Sequence, residues 1–272
     1  MGDCWINGKL GEQLSVFDRG CMFGDGFFTT MAVRNSQVEL FQQHQYRVKQ
    51  SLMRLAISVD ESFIWSFIQK RAQNLVQGGL KLVITRGQGE QGYQLPSQVN
   101  PQWIVSSFAP ISRYERWQIE GIRLGVARTK LAVGHIYSDL KTLNRLEQIA
   151  IKCELDQSVD DLIVLDHFDH VVEASAANLF WRKGQILYTP TLKHAGIHGA
   201  MRQYLLSLLL SEPEFVDLHL QQGQFSLTDV MLADEIWLTN SLLPIVPVAW
   251  FNGSSFSDFS CSHRLLRHMG YL

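Results

Sequence analysis

Cysteine is scarce in this sequence and never paired. Cys4, Cys21, Cys153 and Cys261 are the only four, widely scattered and without a Cys-x-x-Cys spacing. That excludes a disulfide framework and a cysteine-based zinc site, and it predicts reduced thiols. Blocks of like charge are also missing, and 24 Lys and Arg against 26 Asp and Glu leave a net charge of −2. Without a basic patch, nucleic acid and anionic membrane surfaces are poor partners. Long apolar runs are absent too. Even Tyr204 to Leu210, an apolar stretch interrupted only by Ser207, falls far below the roughly 20 residues a bilayer span needs. No charged segment followed by an apolar one opens the chain. Met1-Gly2 is not a myristoylation start, because Ile6 occupies the place of the required Ser or Thr. These absences predict a soluble, cytoplasmic protein with no membrane and no nucleic-acid partner.

What is present is globular. The 272 residues are 46% hydrophobic and 18% charged, enough for one large domain or two smaller ones. Trp5-Ile6-Asn7-Gly8-Lys9-Leu10 carries an Asn-Gly hairpin signal. Phe23 to Val33 predicts a strand entered through glycines. Helical periodicity covers Gln42 to Ala56, and Asp60 is placed to cap a second helix over Glu61 to Val76. Strands at Leu80–Thr85 and Gln102–Phe108 complete an N-terminal α+β domain over 1–109. A polar, turn-like segment over 110–119 is the expected connection.

The remainder, 120–272, reads as a mixed α/β domain. Strands are expected at Ile122–Ala127, Leu162–Asp166, Val171–Ala174, Asn178–Arg182, Gln185–Tyr188, Phe215–Gln221 and Glu235–Thr239, with an extended stretch at Pro244–Trp250. Helices are expected at Thr142–Leu155, Gly199–Leu210, Ser226–Ala233 and Asp258–Met269.

Two patterns are decoys. Gly87-Gln88-Gly89-Glu90-Gln91-Gly92 has the spacing of a dinucleotide-binding loop, but Tyr93-Gln94-Leu95-Pro96 follows and no helix opens. A loop rimming a site is the better reading. His167 and His170 sit in a short polar turn with no further ligand at metal-site spacing, so no metal is expected.

Lys141 draws attention because the sequence places it where an extended segment, Gly134 to Ser138, turns into a helix. A lysine fixed there can present its ammonium to a cleft and act as a nucleophile or base. Taken alone it reads as an ordinary solvated lysine. Three other features give it company. Glu173 ends a strand before the small residues Ala174-Ser175-Ala176-Ala177, which leave room for a flat ring. Gly196-Ile197-His198-Gly199-Ala200-Met201-Arg202 leads into a helix whose first N–H groups can bind an anion. Thr239-Asn240-Ser241 ends a strand with three short hydrogen-bonding side chains. A Schiff-base lysine, an acidic partner for a ring nitrogen and a phosphate cradle are what pyridoxal 5'-phosphate requires.

Lys141-x-x-Asn144-Arg145-Leu146-Glu147-Gln148, Glu173-x-Ser175-x-x-Asn178-Leu179-Phe180 and Gly196-Ile197-x-Gly199-x-Met201-Arg202 resemble the fold-type IV pyridoxal-phosphate enzymes. Phe23-Gly24-Asp25-Gly26-Phe27-Phe28-Thr29-Thr30 and His44-x-x-Arg47 fit the same family, and the match runs from about Trp5 to about Val248. The resemblance implies the two-domain architecture of that family and a homodimer acting on a small-molecule substrate. It implies Lys141 as the catalytic lysine that holds the cofactor and carries protons. Glu173 would pair with the pyridine nitrogen, Arg47 with the phosphate, and the N–H groups of Ala200 and Met201 with the Asn240-Ser241 turn would complete the cradle. Thr29, Arg86 and Tyr93 would line the substrate pocket. Asn144-Arg145-Leu146-Glu147-Gln148, where branched-chain aminotransferases carry Asn-Tyr, favours a lyase of the family. A D-amino-acid or branched-chain aminotransferase is the rival, and a binding protein that has lost its cofactor a more distant one. Gln91-Gly92-Tyr93 departs from the arginine that such lyases often place before Gly-Tyr, and leaves the partner of a substrate carboxylate open.

Overall fold

The computed structural model describes residues 2–89 and 92–272. These form two compact units. One runs to Ile111 and includes Leu140–Asn144; the other comprises Ser112–Asp139 and Arg145–Leu272.

The first unit contains strands β1 (Cys4–Ile6) and β2 (Lys9–Leu10), helix α1 (Arg19–Phe23), strands β3 (Gly26–Arg34) and β4 (Gln37–Val38), helices α2 (Phe41–Leu55) and α3 (Glu61–Leu75), and strands β5 (Gly78–Thr85) and β6 (Gln102–Phe108). The strands make an antiparallel sheet in the order β2-β1-β6-β5-β3-β4. Asn7 and Gly8 both have positive φ, as the Asn-Gly turn between β1 and β2 demands. Asp60 caps α3 by accepting from Phe63 N–H at 3.1 Å. Ile64, Trp65, Ile68 and Ala72 of α3 pack on Met31, Leu80, Leu82 and Ile84 of the sheet. The inward stripe of α2 is unusual, for alongside Val48 and Leu52 it buries His44, Arg47 and Ser51.

The second unit contains α4 (Arg113–Glu120), β7 (Ile122–Val126), α5 (Leu146–Cys153), β8 (Asp161–Leu165), β9 (Val171–Ala174), β10 (Asn178–Lys183), β11 (Ile186–Pro190), α6 (Ala200–Ser211), β12 (His219–Gly223), α7 (Leu227–Met231), β13 (Glu235–Thr239), β14 (Val246–Phe251), β15 (Ser254–Ser255) and α8 (Ser260–His268), with a 3₁₀ turn at Pro213–Phe215. Its mixed sheet runs β12-β11-β10-β13-β14-β7-β8-β9, with β15 pairing β14. Phe180 and Trp237 face each other across β10 and β13 and stack at 5.9 Å, a pair worth about 1 kcal/mol beyond its buried area. Wholly buried Glu235 accepts from Cys261 and Ser262 N–H, supplying the N-terminus of α8 with the partners its own first residues lack.

Several boundaries differ from the sequence reading, each for a backbone reason. Leu140–Asn144 does not begin a helix, because Lys141 and Leu143 pair with β3; α5 starts only at Leu146. These residues therefore pack with the first unit rather than with the second half of the chain. Within the expected extended segment Gly134–Ser138, residues 136–138 lie in a turn. The connection over 110–119 holds a helix, α4. Phe215 closes a 3₁₀ turn, and β12 begins at His219. Helix α1 carries too few residues for periodicity to reveal it; its signal was Asp18, whose carboxylate accepts from Gly20 N–H at 2.7 Å.

Candidate active site

In the first unit, Lys141 is held by its backbone. Phe28 N–H donates to Lys141 C=O at 2.9 Å, Leu143 N–H donates to Gly26 C=O at 3.0 Å, and Asn144 Nδ2 donates to Gly24 C=O at 3.2 Å. The short segment thus runs antiparallel along the start of β3. Two glycines permit this approach. A Cβ on Gly24, whose φ is +68°, would collide with Asn144 Oδ1, and one on Gly26 would lie 3.0 Å from Leu143 Cδ1. The half-buried Lys141 side chain places Nζ 4.7 Å from the centre of the Phe28 ring, and Lys81 Nζ lies 4.8 Å from that same centre. The ring quadrupole attracts both ammonium groups.

Asp25, between those glycines, ties the segment to its surroundings. Its carboxylate accepts from Arg19 Nε and Arg86 Nε, each at 2.8 Å, and from Arg86 Nη2 at 3.1 Å. Burial alone would raise the Asp25 pKa, but the hydrogen bonds and charges of Arg86 and Arg19 outweigh it and lower it. The other Arg86 donors go to the Leu55 and Ala56 carbonyls at the end of α2. Those of Arg19 go to the carbonyls of Gly92, Tyr93 and Gln94.

Arg47 lies on the buried stripe of α2, and burial lowers its pKa to about 10. Its Nη1 donates to Thr29 Oγ1 at 3.2 Å, and Thr29 Oγ1 lies 2.7 Å from His44 Nδ1.

In the second unit, Glu173 is buried, one residue before the end of β9. Its Oε2 accepts from Ile197 N–H at 2.9 Å and, more distantly, from Asn178 Nδ2 at 3.5 Å; Asn178 Nδ2 also donates to Ile197 C=O at 2.9 Å. The loop reaches the carboxylate because Gly196 takes φ +88°, and because a Cβ on Gly199 would sit 1.9 Å from Asn178 Oδ1. Burial lowers the pKa of Arg202 to about 10 and lowers that of Arg145, and the negative field of Glu173 opposes the fall in both. Gly199 ends the loop as the N-cap of α6, with no side-chain cap. A twelve-residue helix with an uncapped N-terminus can bind an anion there. Ala200 and Met201 form its first, buried turn.

These contacts also place the other residues singled out from the sequence. Thr29 has no exposed surface, and its hydroxyl lies between Arg47 and His44. Arg86 is committed to Asp25 and the end of α2, because one buried carboxylate and two helix-end carbonyls need its donors. Asn240 shapes its turn. Its N–H donates to Leu243 C=O, its Oδ1 accepts from Leu242 and Leu243 N–H, and its Nδ2 donates to Ala176 C=O. Tyr93 is largely exposed, with its ring 5.4 Å from that of Phe23. Gln91, and Glu90 of the glycine pattern, lie outside the described residues. His170 bonds Asp166 within its turn, and no group of three or more metal-ligating side chains occurs among the described residues. Sequence reasoning missed Ile197 and Asn178 as holders of Glu173, and Asp25 as the anchor beside the lysine segment. The close glycines around each were the available signal.

The clusters contain a primary amine on a fixed segment, a carboxylate held by a backbone N–H, a buried guanidinium and an uncapped helix. Each of these groups, taken within its own unit, is of a kind that a phosphorylated pyridine aldehyde needs. Comparison with known proteins gives the same direction. The chain is 34% identical to an aminodeoxychorismate lyase of Vibrio harveyi, over 90% of each chain. It is 26% identical to a D-alanine aminotransferase of Listeria innocua, over 93% of this chain and 89% of that one. The crystal structure of 4-amino-4-deoxychorismate lyase from Pseudomonas aeruginosa superposes with a TM-score of 0.91 at 32% identity, covering 99% of this chain and 100% of that one. An Escherichia coli branched-chain amino acid aminotransferase, at 18% identity and a TM-score of 0.84 over 99% and 94%, shares the fold. The amino-transferase class IV family pattern matches residues 26–250. The chain belongs to the class IV amino-transferase family.

Proposed function

We propose that this protein is a pyridoxal-phosphate-dependent lyase that converts 4-amino-4-deoxychorismate to p-aminobenzoate and pyruvate, a step of folate synthesis. The observation that carries the reading is near-full-length similarity to lyases of that name at 34% and 32% identity. The aminotransferases compared above stand lower, at 26% and 18%.

In this reading Lys141 Nζ attaches the cofactor, Glu173 binds its ring nitrogen, and Arg47 with the first turn of α6 and Ser241 binds its phosphate. When bound, the cofactor supplies an electron-withdrawing ring that takes up the negative charge developing at the substrate's amine-bearing carbon. Lys141 Nζ would remove the proton from that carbon. The substrate's C–O bond then breaks, enolpyruvate leaves with the bonding pair and takes a proton to become pyruvate, and the remaining ring becomes aromatic. Aromatisation supplies much of the driving force, so the chain's residues mainly orient groups and move protons. Ile197 N–H and Asn178 keep the Glu173 carboxylate in place for its partner. Tyr93 remains the proposed contact to substrate.

The protein works as a cytoplasmic homodimer in this account. In support, no described helix is long and apolar enough to cross a membrane. Val16, Phe17 and Met22 are large apolar residues exposed within one short stretch, as a self-association surface requires. Two assays separate lyase from aminotransferase. One measures pyruvate released from 4-amino-4-deoxychorismate without a keto acid, and the other measures amine transfer from D- and L-amino acids to a keto acid. The proposal requires the first activity and only a trace of the second.

A further inference from the structure

His44 is fully buried and takes no part in the chemistry above, yet it is hydrogen-bonded in a way that fixes its state. The Arg47 guanidinium can only donate, so its contact at 3.2 Å occupies a lone pair of Thr29 Oγ1. The single Thr29 hydroxyl proton has no other acceptor among the described residues than His44 Nδ1, at 2.7 Å. Nδ1 therefore accepts, and a neutral ring keeps its proton on Nε2. Had Nδ1 carried the proton, both the buried Thr29 hydroxyl proton and the Nε2 lone pair would lack a partner, whereas the chosen tautomer leaves one unmet group, the Nε2 N–H. A protonated His44 would place a second cation beside Arg47 with no water to screen it. Burial, and after it the Arg47 charge, hold His44 well below its ordinary pKa. Nε2 itself is sealed from solvent and has no partner among the described residues, so it does not face an open ligand site. Ser51 Oγ donates to the Arg47 carbonyl at 2.9 Å from the next turn.

We propose that Thr29 and a neutral, Nε2-protonated His44 are positioning residues that aim the Arg47 guanidinium at the cofactor phosphate. The inference rests on the reading of Arg47 as a phosphate contact. Thr29 fixes one guanidinium nitrogen, and His44 fixes the rotation of the Thr29 hydroxyl, so its oxygen keeps a lone pair toward Arg47. Neither residue touches the cofactor.

The test compares binding of pyridoxal 5'-phosphate and of pyridoxal, which lacks the phosphate, to the cofactor-stripped full-length protein by absorbance titration. Thr29→Val keeps the shape and removes the hydroxyl. It should weaken pyridoxal 5'-phosphate about tenfold, the scale of one lost hydrogen bond to a charged group, and leave pyridoxal unchanged. Thr29→Ser should restore the preference for the phosphorylated ligand. Equal weakening of both ligands, or of neither, overturns the proposal. Arg47→Lys separates the two layers. If it abolishes the preference while Thr29→Val does not, positioning fails and the phosphate contact stands. Should Arg47→Lys leave the preference intact, the phosphate reading fails and this proposal with it. Imidazole ¹⁵N spectra of the unmutated protein, which need no folded variant, should show His44 neutral with its proton on Nε2. A proton on Nδ1 overturns the assignment.

Discussion

Glu173 receives Ile197 N–H and Asn178 Nδ2 on the same oxygen. A glutamine in its place can still accept those bonds while losing the charge. Glu173→Gln should therefore fold normally, hold cofactor, and lose about a hundredfold or more in turnover, the scale of a lost proton-handling group; near-normal turnover would remove Glu173 from the mechanism. Lys141→Ala should lose at least about a thousandfold in steady-state turnover, because no second amine is presented by the same backbone pairing. Asp25 makes a prediction about stability rather than rate. Its carboxylate lies between two buried guanidinium groups, and removing one partner from such a cluster costs about 3 kcal/mol or more. Its pKa is lowered in the native state, so this stabilisation is complete above the ordinary carboxylate value and fades as pH falls through the lowered native one. Denaturant unfolding of Asp25→Asn should show a deficit at neutral pH that closes toward the wild type in acid. A deficit independent of pH would mean that charge is not its source.

At the scale of elements, the loop into α6 is built by glycine. Gly199→Ala would drive a Cβ into Asn178 Oδ1. The resulting shift should cost about 1–3 kcal/mol, read as a lower denaturation midpoint, and should also weaken cofactor binding; an unchanged midpoint would show that the loop yields freely. The same scale explains what was legible beforehand. Strand β13 and helices α2, α3 and α6 follow their hydrophobic periods, and Asp60 caps α3 as its position suggests. The segment around Lys141 was misread because its order comes from pairing with β3, more than a hundred residues away, which no local period records. The buried partners of Thr29 and Arg86 were not legible, because residue type alone does not reveal whether a polar group has one. The buried polar stripe of α2 has the spacing of an ordinary amphipathic helix, and only the structure shows that His44 and Arg47 lie on its inner face.

For the whole molecule, family membership establishes the fold and leaves the reaction to be decided, because lyases and aminotransferases share one scaffold. Both begin by removing a proton from an amine-bearing carbon, and the roles proposed for Lys141 and Glu173 would serve either. They part at the next bond: a lyase breaks C–O and needs no second substrate, whereas an aminotransferase must hand its nitrogen to a keto acid. The most direct measurement is therefore product release from 4-amino-4-deoxychorismate by the cofactor-loaded protein with keto acid absent. The account predicts p-aminobenzoate and pyruvate in equal amounts over many turnovers. Intact substrate, with cofactor still bound, would contradict it.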